Sequence, residues 1–162
     1  IVLFLFFNVY LQRNIKVNML SKASQYAIKS LLFISANQQV GVRFSVKDIA
    51  IAIDSPPAFT SKILQQLVAA KIITSVKGSG GGFEISTSKI VSTKVISIIK
   101  AIEGDHFSSG CFLGLPDCSE KNPCPVHKLY APLREKMNQG LYNVTLADLI
   151  NNKGKQPFNL KG

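Results

Sequence analysis

No apolar run in this chain of 162 residues approaches the roughly 20 residues that a membrane-spanning helix needs; the run that opens the chain covers only residues 1–7. That opening also lacks the basic residues ahead of the apolar run, and the small-residue cleavage site, of a secretory signal. Residues 1–18 are therefore expected to be upstream sequence or a poorly ordered extension, not a membrane anchor, with Met19 beginning the body of the fold. Acidic residues are scarce, nine against nineteen Lys and Arg, which leaves a formal charge of +10. Such a balance favours an anionic partner and salt-sensitive binding. Cysteines number three, an odd count that cannot close into an intramolecular disulfide framework, and a reducing cytoplasm is the expected location. No internal repeat or low-complexity tract is present, and the length suits one domain with ample core.

The rest of the chain is punctuated by helix signals. Ser21 can cap a helix running to about Asn37, with an apolar stripe of Tyr26, Ala27, Leu31, Ile34 and Ala36. Ser45-Val-Lys-Asp48 has the form of a capping box and predicts a second helix over 46–52. In Asp54-Ser55-Pro56-Pro57, Ser55 suits an N-cap and Pro56 the first helical position. The third helix is then expected over 56–71, with Phe59, Ile63, Leu64, Leu67 and Ala70 on its core face. Two β-type runs, 72–76 and 83–85, flank Lys77-Gly-Ser-Gly-Gly-Gly82, which reads as a hairpin loop. Thr93 opens a helix to Ile102, a cysteine-bearing loop spans 104–125, and a helix follows over 126–142. A short helix over 145–150 precedes a polar tail at 151–162, expected to fray.

Three helices and then a hairpin are the order of a winged helix-turn-helix, a mainly α fold with a small β-hairpin wing, here over residues 19–103. The third helix occupies the recognition position. With its apolar face inward, Ala58, Ser61, Lys62 and Gln65 point outward, small or polar enough to approach base edges. The glycine loop could be taken for a phosphate cradle, but such loops need a strand before and a helix N-terminus after. A wing tip fits better, placing Lys77 and Ser79 where they can meet the DNA backbone or minor groove.

All three cysteines fall in one loop, as Cys111, Cys118 and Cys124, with His127 just beyond. Structural zinc sites usually pair cysteines two to four residues apart, and no such pair exists here. The wider spacing suits a larger cofactor such as a 2Fe–2S cluster, whose four protein positions would be filled by the three thiolates and His127. A zinc site or three free thiols stay open on spacing alone. A Cys–His enzyme is not expected, since no third orienting group is evident.

The chain from Met19 to about Asn151 resembles the IscR/NsrR-type family of bacterial winged-helix transcriptional regulators. The resemblance is carried by Leu20-Ser-Lys-Ala-Ser-Gln-Tyr-Ala27, Lys47-Asp-Ile-Ala50, Ile63-Leu with Leu67, and Ser75-Val-Lys-Gly-Ser-Gly-Gly-Gly-Phe83. Ile99-Lys-Ala-Ile-Glu-Gly104, the three cysteines and Thr145-Leu-Ala-Asp-Leu149 extend it. It implies a homodimer that binds a palindromic operator on double-stranded DNA and senses iron–sulfur status, redox stress or nitric oxide, with no small-molecule substrate and no membrane partner. It also implies that Cys111, Cys118 and Cys124 are cluster ligands and that His127 is the fourth, as in IscR-like members. NsrR-like members take a carboxylate from the first helix at the position that is Gln25 here, so 2Fe–2S is favoured over 4Fe–4S. Thiol-based or zinc-dependent sensing without a cluster is the alternative. The resemblance further implies a long dimerisation helix after the loop, and Val126, Tyr130, Leu133 and Met137 give residues 126–150 a coiled-coil-like seam. Pro132 is expected to kink or restart that helix.

Overall fold

A computed structural model describes residues 20–152 and 158–161; the expectations for residues 1–18 and 153–157 lie outside the described residues. Helix α1 (Lys22–Ala36) starts where the Ser21 hydroxyl accepts the Ser24 N–H at 3.1 Å. Ser24, Ala27, Leu31 and Ile34 are its buried face, at the three- and four-residue steps of one helical stripe. Ala36, expected in that stripe, is exposed, because two residues past Ile34 lies on the far side of the helix.

The capping box at Ser45 and Asp48 is present: Asp48 N–H donates to Ser45 Oγ at 3.2 Å, and Ser45 N–H donates to Asp48 Oδ2 at 3.0 Å. The Ser45 hydroxyl and backbone N–H hold the Asp48 carboxyl below its usual range. Helix α2 (Val46–Ile53) then ends at Asp54, whose φ of 52° is left-handed, and Ser55 N–H returns to Ala50 O at 3.0 Å.

Here the expected cap is corrected. Helix α3 (Pro57–Ala69) begins one residue later than expected, with Pro56 at the N-cap and no side-chain capping bond. The Ser55 hydroxyl bonds instead to Thr60 Oγ1, which also donates to Pro56 O at 3.1 Å. Thr60 thereby sits fully buried at the head of the inner face with Ile63, Leu64 and Leu67. Phe59, assigned to that face, is 36% exposed and packs edge-on against Tyr26, ring centroids 5.8 Å apart; Ala70 is also exposed.

Strands β1 (Thr74–Val76) and β2 (Gly82–Glu84) pair antiparallel with Ser75 opposite Phe83. β1 is shorter than the expected 72–76 and β2 is shifted one residue back from 83–85, because Ile72, Ile73 and Ile85 leave the ladder to enter the core. Phe44 adds a bridge to the wing, exchanging two backbone hydrogen bonds with Phe83 at 2.9 and 3.1 Å. A Cβ on Gly82, at φ 145°, would lie 2.8 Å from Phe44 O, so the close approach needs glycine.

Helix α4 (Thr87–Ser92), capped by Ser86, is an additional element between the wing and the helix expected from Thr93. Helix α5 (Val95–Glu103) buries Val95, Ile96, Ile98 and Ile99. A short helix α6 (His106–Ser109) lies within the expected loop. Helix α7 (His127–Asn143) carries Pro132 inside it without restarting there, and α8 (Leu146–Asn151) opens on a second capping box, Thr145 with Asp148. Val95 N–H donates to Val144 O at 3.0 Å and Leu146 N–H to Thr93 O at 2.9 Å, returning the chain to the core.

That core centres on Leu31, Ile49, Ile53, Leu64, Leu67, Ile98 and Leu146, all fully buried. Each such side chain contributes about 1.5–3 kcal/mol by leaving water. In the expected frayed tail, Leu160 instead packs against this core. Among the described residues no helix is long and apolar enough to cross a membrane.

Candidate metal centre and DNA-facing surface

The cysteine loop leaves the core from the end of α5, where Glu103 is fastened to the start of α1. Ser21 N–H donates to Glu103 Oε1 at 3.2 Å. Burial pushes the Glu103 carboxyl up, but hydrogen bonds from Ser24 and Ser21 outweigh it and hold the group below its usual range. A carboxylate at the N-terminus of α1 also suits the helix dipole.

Helix α7 grips the beginning of the loop. Arg134 Nη1 donates to Gly110 O at 2.7 Å, and Asn138 Nδ2 donates to Ser108 O at 2.8 Å. Phe112 packs on Tyr130 with centroids 5.1 Å apart, and the Arg134 guanidinium lies 5.8 Å from the Tyr130 ring centre. The other end of the loop runs directly into α7, with His127 N–H donating to Cys124 O at 3.0 Å.

Between these anchors the three Sγ atoms converge, all within 4.8 Å of one another. Cys111 and Cys124 are 3.6 Å apart, and Cys118 Sγ lies 3.2 Å from His127 Nδ1. The three sulfurs form one mutual group, and His127 joins it from the Cys118 side. Proximity to Cys124 in sequence thus brings the imidazole to a different thiol. All three cysteines are half-buried, beside a pocket of about 280 Å³ formed by residues 115–118 and 122–124. Partial burial pushes the Cys111 thiol up, yet hydrogen bonds from the Leu115 and Leu113 backbone and from Cys118 and Cys124 bring it down to about 7. A backbone hydrogen bond from Cys124 lowers Cys118, but partial burial and the neighbouring thiols outweigh it and raise that group. Three converging soft donors with an imidazole alongside are a fitting donor set for an iron–sulfur cluster or zinc. Gln25 does not join them; its side-chain amide donates to Leu20 O at 2.8 Å.

On the opposite function, Ala58, Lys62 and Gln65 lie exposed on α3, with Ser61 half-buried, and Lys77 and Ser79 are exposed in the wing loop. The wing is stiffened from behind: Arg43 Nε meets Glu84 Oε2 at 2.9 Å, and Arg43 Nη1 reaches Gly80 O at 3.5 Å.

The expected dimer seam divides. Tyr130 is engaged with Phe112 and Arg134, and Val126 and Met137 are half-buried, whereas Leu133 is 58% exposed beside Leu129 at 72%. Residues the sequence did not single out, Arg134, Asn138 and Phe112, hold the loop. Their partners are two backbone carbonyls and a ring some 18 to 30 positions away, which leave no local pattern.

A family model described as an iron-dependent transcriptional regulator, Rrf2, matches residues 20–152. The chain belongs to the Rrf2 family. It is similar to an HTH-type transcriptional regulator of Aquifex aeolicus, 30% identical over 143 residues that cover 85% of this chain and 95% of that protein. It is also similar to the HTH-type transcriptional regulator IscR of Yersinia pseudotuberculosis, 26% identical over 134 residues, 83% of this chain and 80% of IscR. Among solved structures, CymR of B. subtilis, a global cysteine regulator, shares the fold with a TM-score of 0.67 at 20% identity, over 82% of this chain and 96% of CymR. The Rrf2 chain is thus a DNA-binding transcriptional regulator of winged-helix fold and not an enzyme, as its family and relatives are.

Proposed function

We propose that this Rrf2 protein is a cytoplasmic homodimer that binds a palindromic operator and reports iron–sulfur status, redox stress or nitric oxide through a cluster on the cysteine loop. The observation that carries this reading is the mutual approach of Cys111, Cys118 and Cys124 within 4.8 Å. These three thiolates and His127 would hold the cluster, and a set with one imidazole suits 2Fe–2S better than 4Fe–4S. When bound, such a cluster supplies one-electron redox chemistry and sensitivity to oxidants and nitric oxide.

The chain's own part is mechanical. The loop is gripped by Arg134 and Asn138 of α7 at one end and runs into α7 at the other. Ordering of the loop is therefore linked to the placement of α7. In the proposed dimer, Leu129 and Leu133 supply the exposed apolar contact between the two copies of α7, with Val126, Tyr130 and Met137 behind them. α7 then sets the separation of the two α3 helices, whose Ala58, Ser61, Lys62 and Gln65 face the major groove while Lys77 and Ser79 meet the backbone. Half-sites about one helical turn apart tolerate little change in that separation. The loop can shift DNA affinity only as far as it favours one dimer arrangement over another.

Iron and acid-labile sulfide analysis of oxygen-free preparations tests the reading; equal amounts of both in a brown protein are expected, and a colourless zinc form contradicts it. His127→Ala is expected to keep dimer and fold while making the cluster labile, followed by visible absorption during exposure to air. An unchanged spectrum and lifetime would remove His127 from the ligand set.

A second reading is favoured by the approach of the Cys111 and Cys124 sulfurs to 3.6 Å in half-buried surroundings. In it the thiols respond to oxidants directly, without a cluster. A colourless, iron-free protein whose DNA binding changes with peroxide and not with iron would support it.

A further inference from the structure

We infer that the iron-free form of this protein carries a specific redox pair, Cys111 with Cys124, which closes as a disulfide and leaves Cys118 out. The inference needs the thiols alone, and so stands apart from whether they hold a cluster.

Three thiols can pair in three ways, and the surrounding packing distinguishes them. Cys111 lies between Gly110, whose carbonyl takes the Arg134 guanidinium at 2.7 Å, and Phe112, whose ring packs on Tyr130. Both clamps belong to α7. Cys124 is tied to the first turn of the same helix through its carbonyl, which accepts the His127 N–H at 3.0 Å. Two cysteines thirteen positions apart are thus both flanked by contacts to the first half of one helix. Their sulfurs stand 3.6 Å apart, against the ~2.0 Å of an S–S bond. Cys118 is engaged elsewhere, its sulfur 3.2 Å from His127 Nδ1. Cys111 and Cys118 are half-exposed, so a small disulfide can reach the site from their side.

The chemistry is thiol–disulfide exchange with a low-molecular-weight disulfide such as oxidised glutathione. The thiolate of one member of the pair attacks the S–S bond of the small disulfide. A mixed disulfide forms and one glutathione thiolate leaves. The second cysteine, as its thiolate, then attacks the protein sulfur of that mixed bond and expels the second glutathione. Two cysteine thiols are oxidised and one glutathione disulfide is reduced to two thiols, a balanced two-electron exchange. The product has lost two of its three soft donors, so the oxidised loop cannot accept iron until it is reduced.

The test uses the full chain prepared without iron, fully reduced, then titrated with oxidised glutathione and mapped by proteolysis and mass spectrometry. The expected result is loss of two of the three thiols, with a bond joining the peptides of Cys111 and Cys124 and Cys118 still open to alkylation. Cys118→Ser is expected to form the same bond at about the wild-type rate. Cys111→Ser and Cys124→Ser are expected to stop as glutathione adducts. A bond chiefly to Cys118, or a Cys118→Ser protein that stays reduced or stops as the adduct, would overturn the pairing. Iron and sulfide content, measured on separate oxygen-free samples, reports on the cluster reading independently.

Discussion

The two halves of this molecule are built to different standards of completion. From α1 to α5 the helices bury Leu31, Ile34, Ile49, Ile53, Ile63, Leu64, Leu67 and Ile98 almost entirely, and two of the four main helices start on side-chain caps. Helix α7 is the longest element described and buries none of its residues, leaving Leu129 and Leu133 exposed in the chain alone. The cysteine loop beside it likewise leaves three soft donors half-open. The first half closes a core of its own, although Val40, Ile51 and Val91 stay exposed on it, whereas in the second apolar surface and soft ligand atoms lie together along α7 and its loop. These are what a second copy and a cofactor would consume.

The contrast can be broken at both ends. Leu31→Ala should cost about 2–5 kcal/mol, read by chemical denaturation, because the site is closed on all sides. Leu129→Asp with Leu133→Asp should leave the melting of the separated chain nearly unchanged yet weaken self-association by about 2 kcal/mol per site, read by sedimentation. A loss of folding in that variant would mean that these leucines serve the chain's own core. On the DNA side, Lys62→Ala should weaken binding and make the salt dependence shallower by about one unit of log–log slope if it meets phosphate. Removing the α2 cap with Ser45→Ala should cost about 1 kcal/mol.

The smallest effect expected is from acid. Asp48, Asp148 and Glu103 are all held below their ordinary values of 3.8, 3.8 and 4.5. A lowered folded value contributes stability that is present above the ordinary value and is lost as pH falls through the folded one. Melting temperature should therefore be flat above these values with respect to the three groups and decline below them, less so in Asp48→Asn.

The legible parts of the fold were those with local cause. Ser21 and Ser45 announced their helices because a cap bonds within three residues, and the Ile63, Leu64 and Leu67 spacing is set by the helix itself. Phe59 was misplaced because its hydrophobicity outweighed Thr60 in a pattern reading, although Thr60 finds hydroxyl and carbonyl partners at Ser55 and Pro56 and takes the buried place. Helix α4 was missed because its six residues bury nothing fully. At the site, the cysteines were evident from their confinement to one loop, and His127 from its nearness to Cys124. Its contact with Cys118, and the hold of Arg134 and Asn138 on the loop, depend on the return of α7 across the end of α5.

The central claim, that the thiol centre tunes DNA binding, is tested most directly by affinity measured without oxygen for a duplex selected by the wild-type protein from a random pool. Iron-loaded and iron-free wild type should differ by about fivefold or more, while the variant with serine at 111, 118 and 124 should show one affinity whatever the iron supply. Equal affinities for loaded and iron-free wild type, matched by the serine variant, would contradict it.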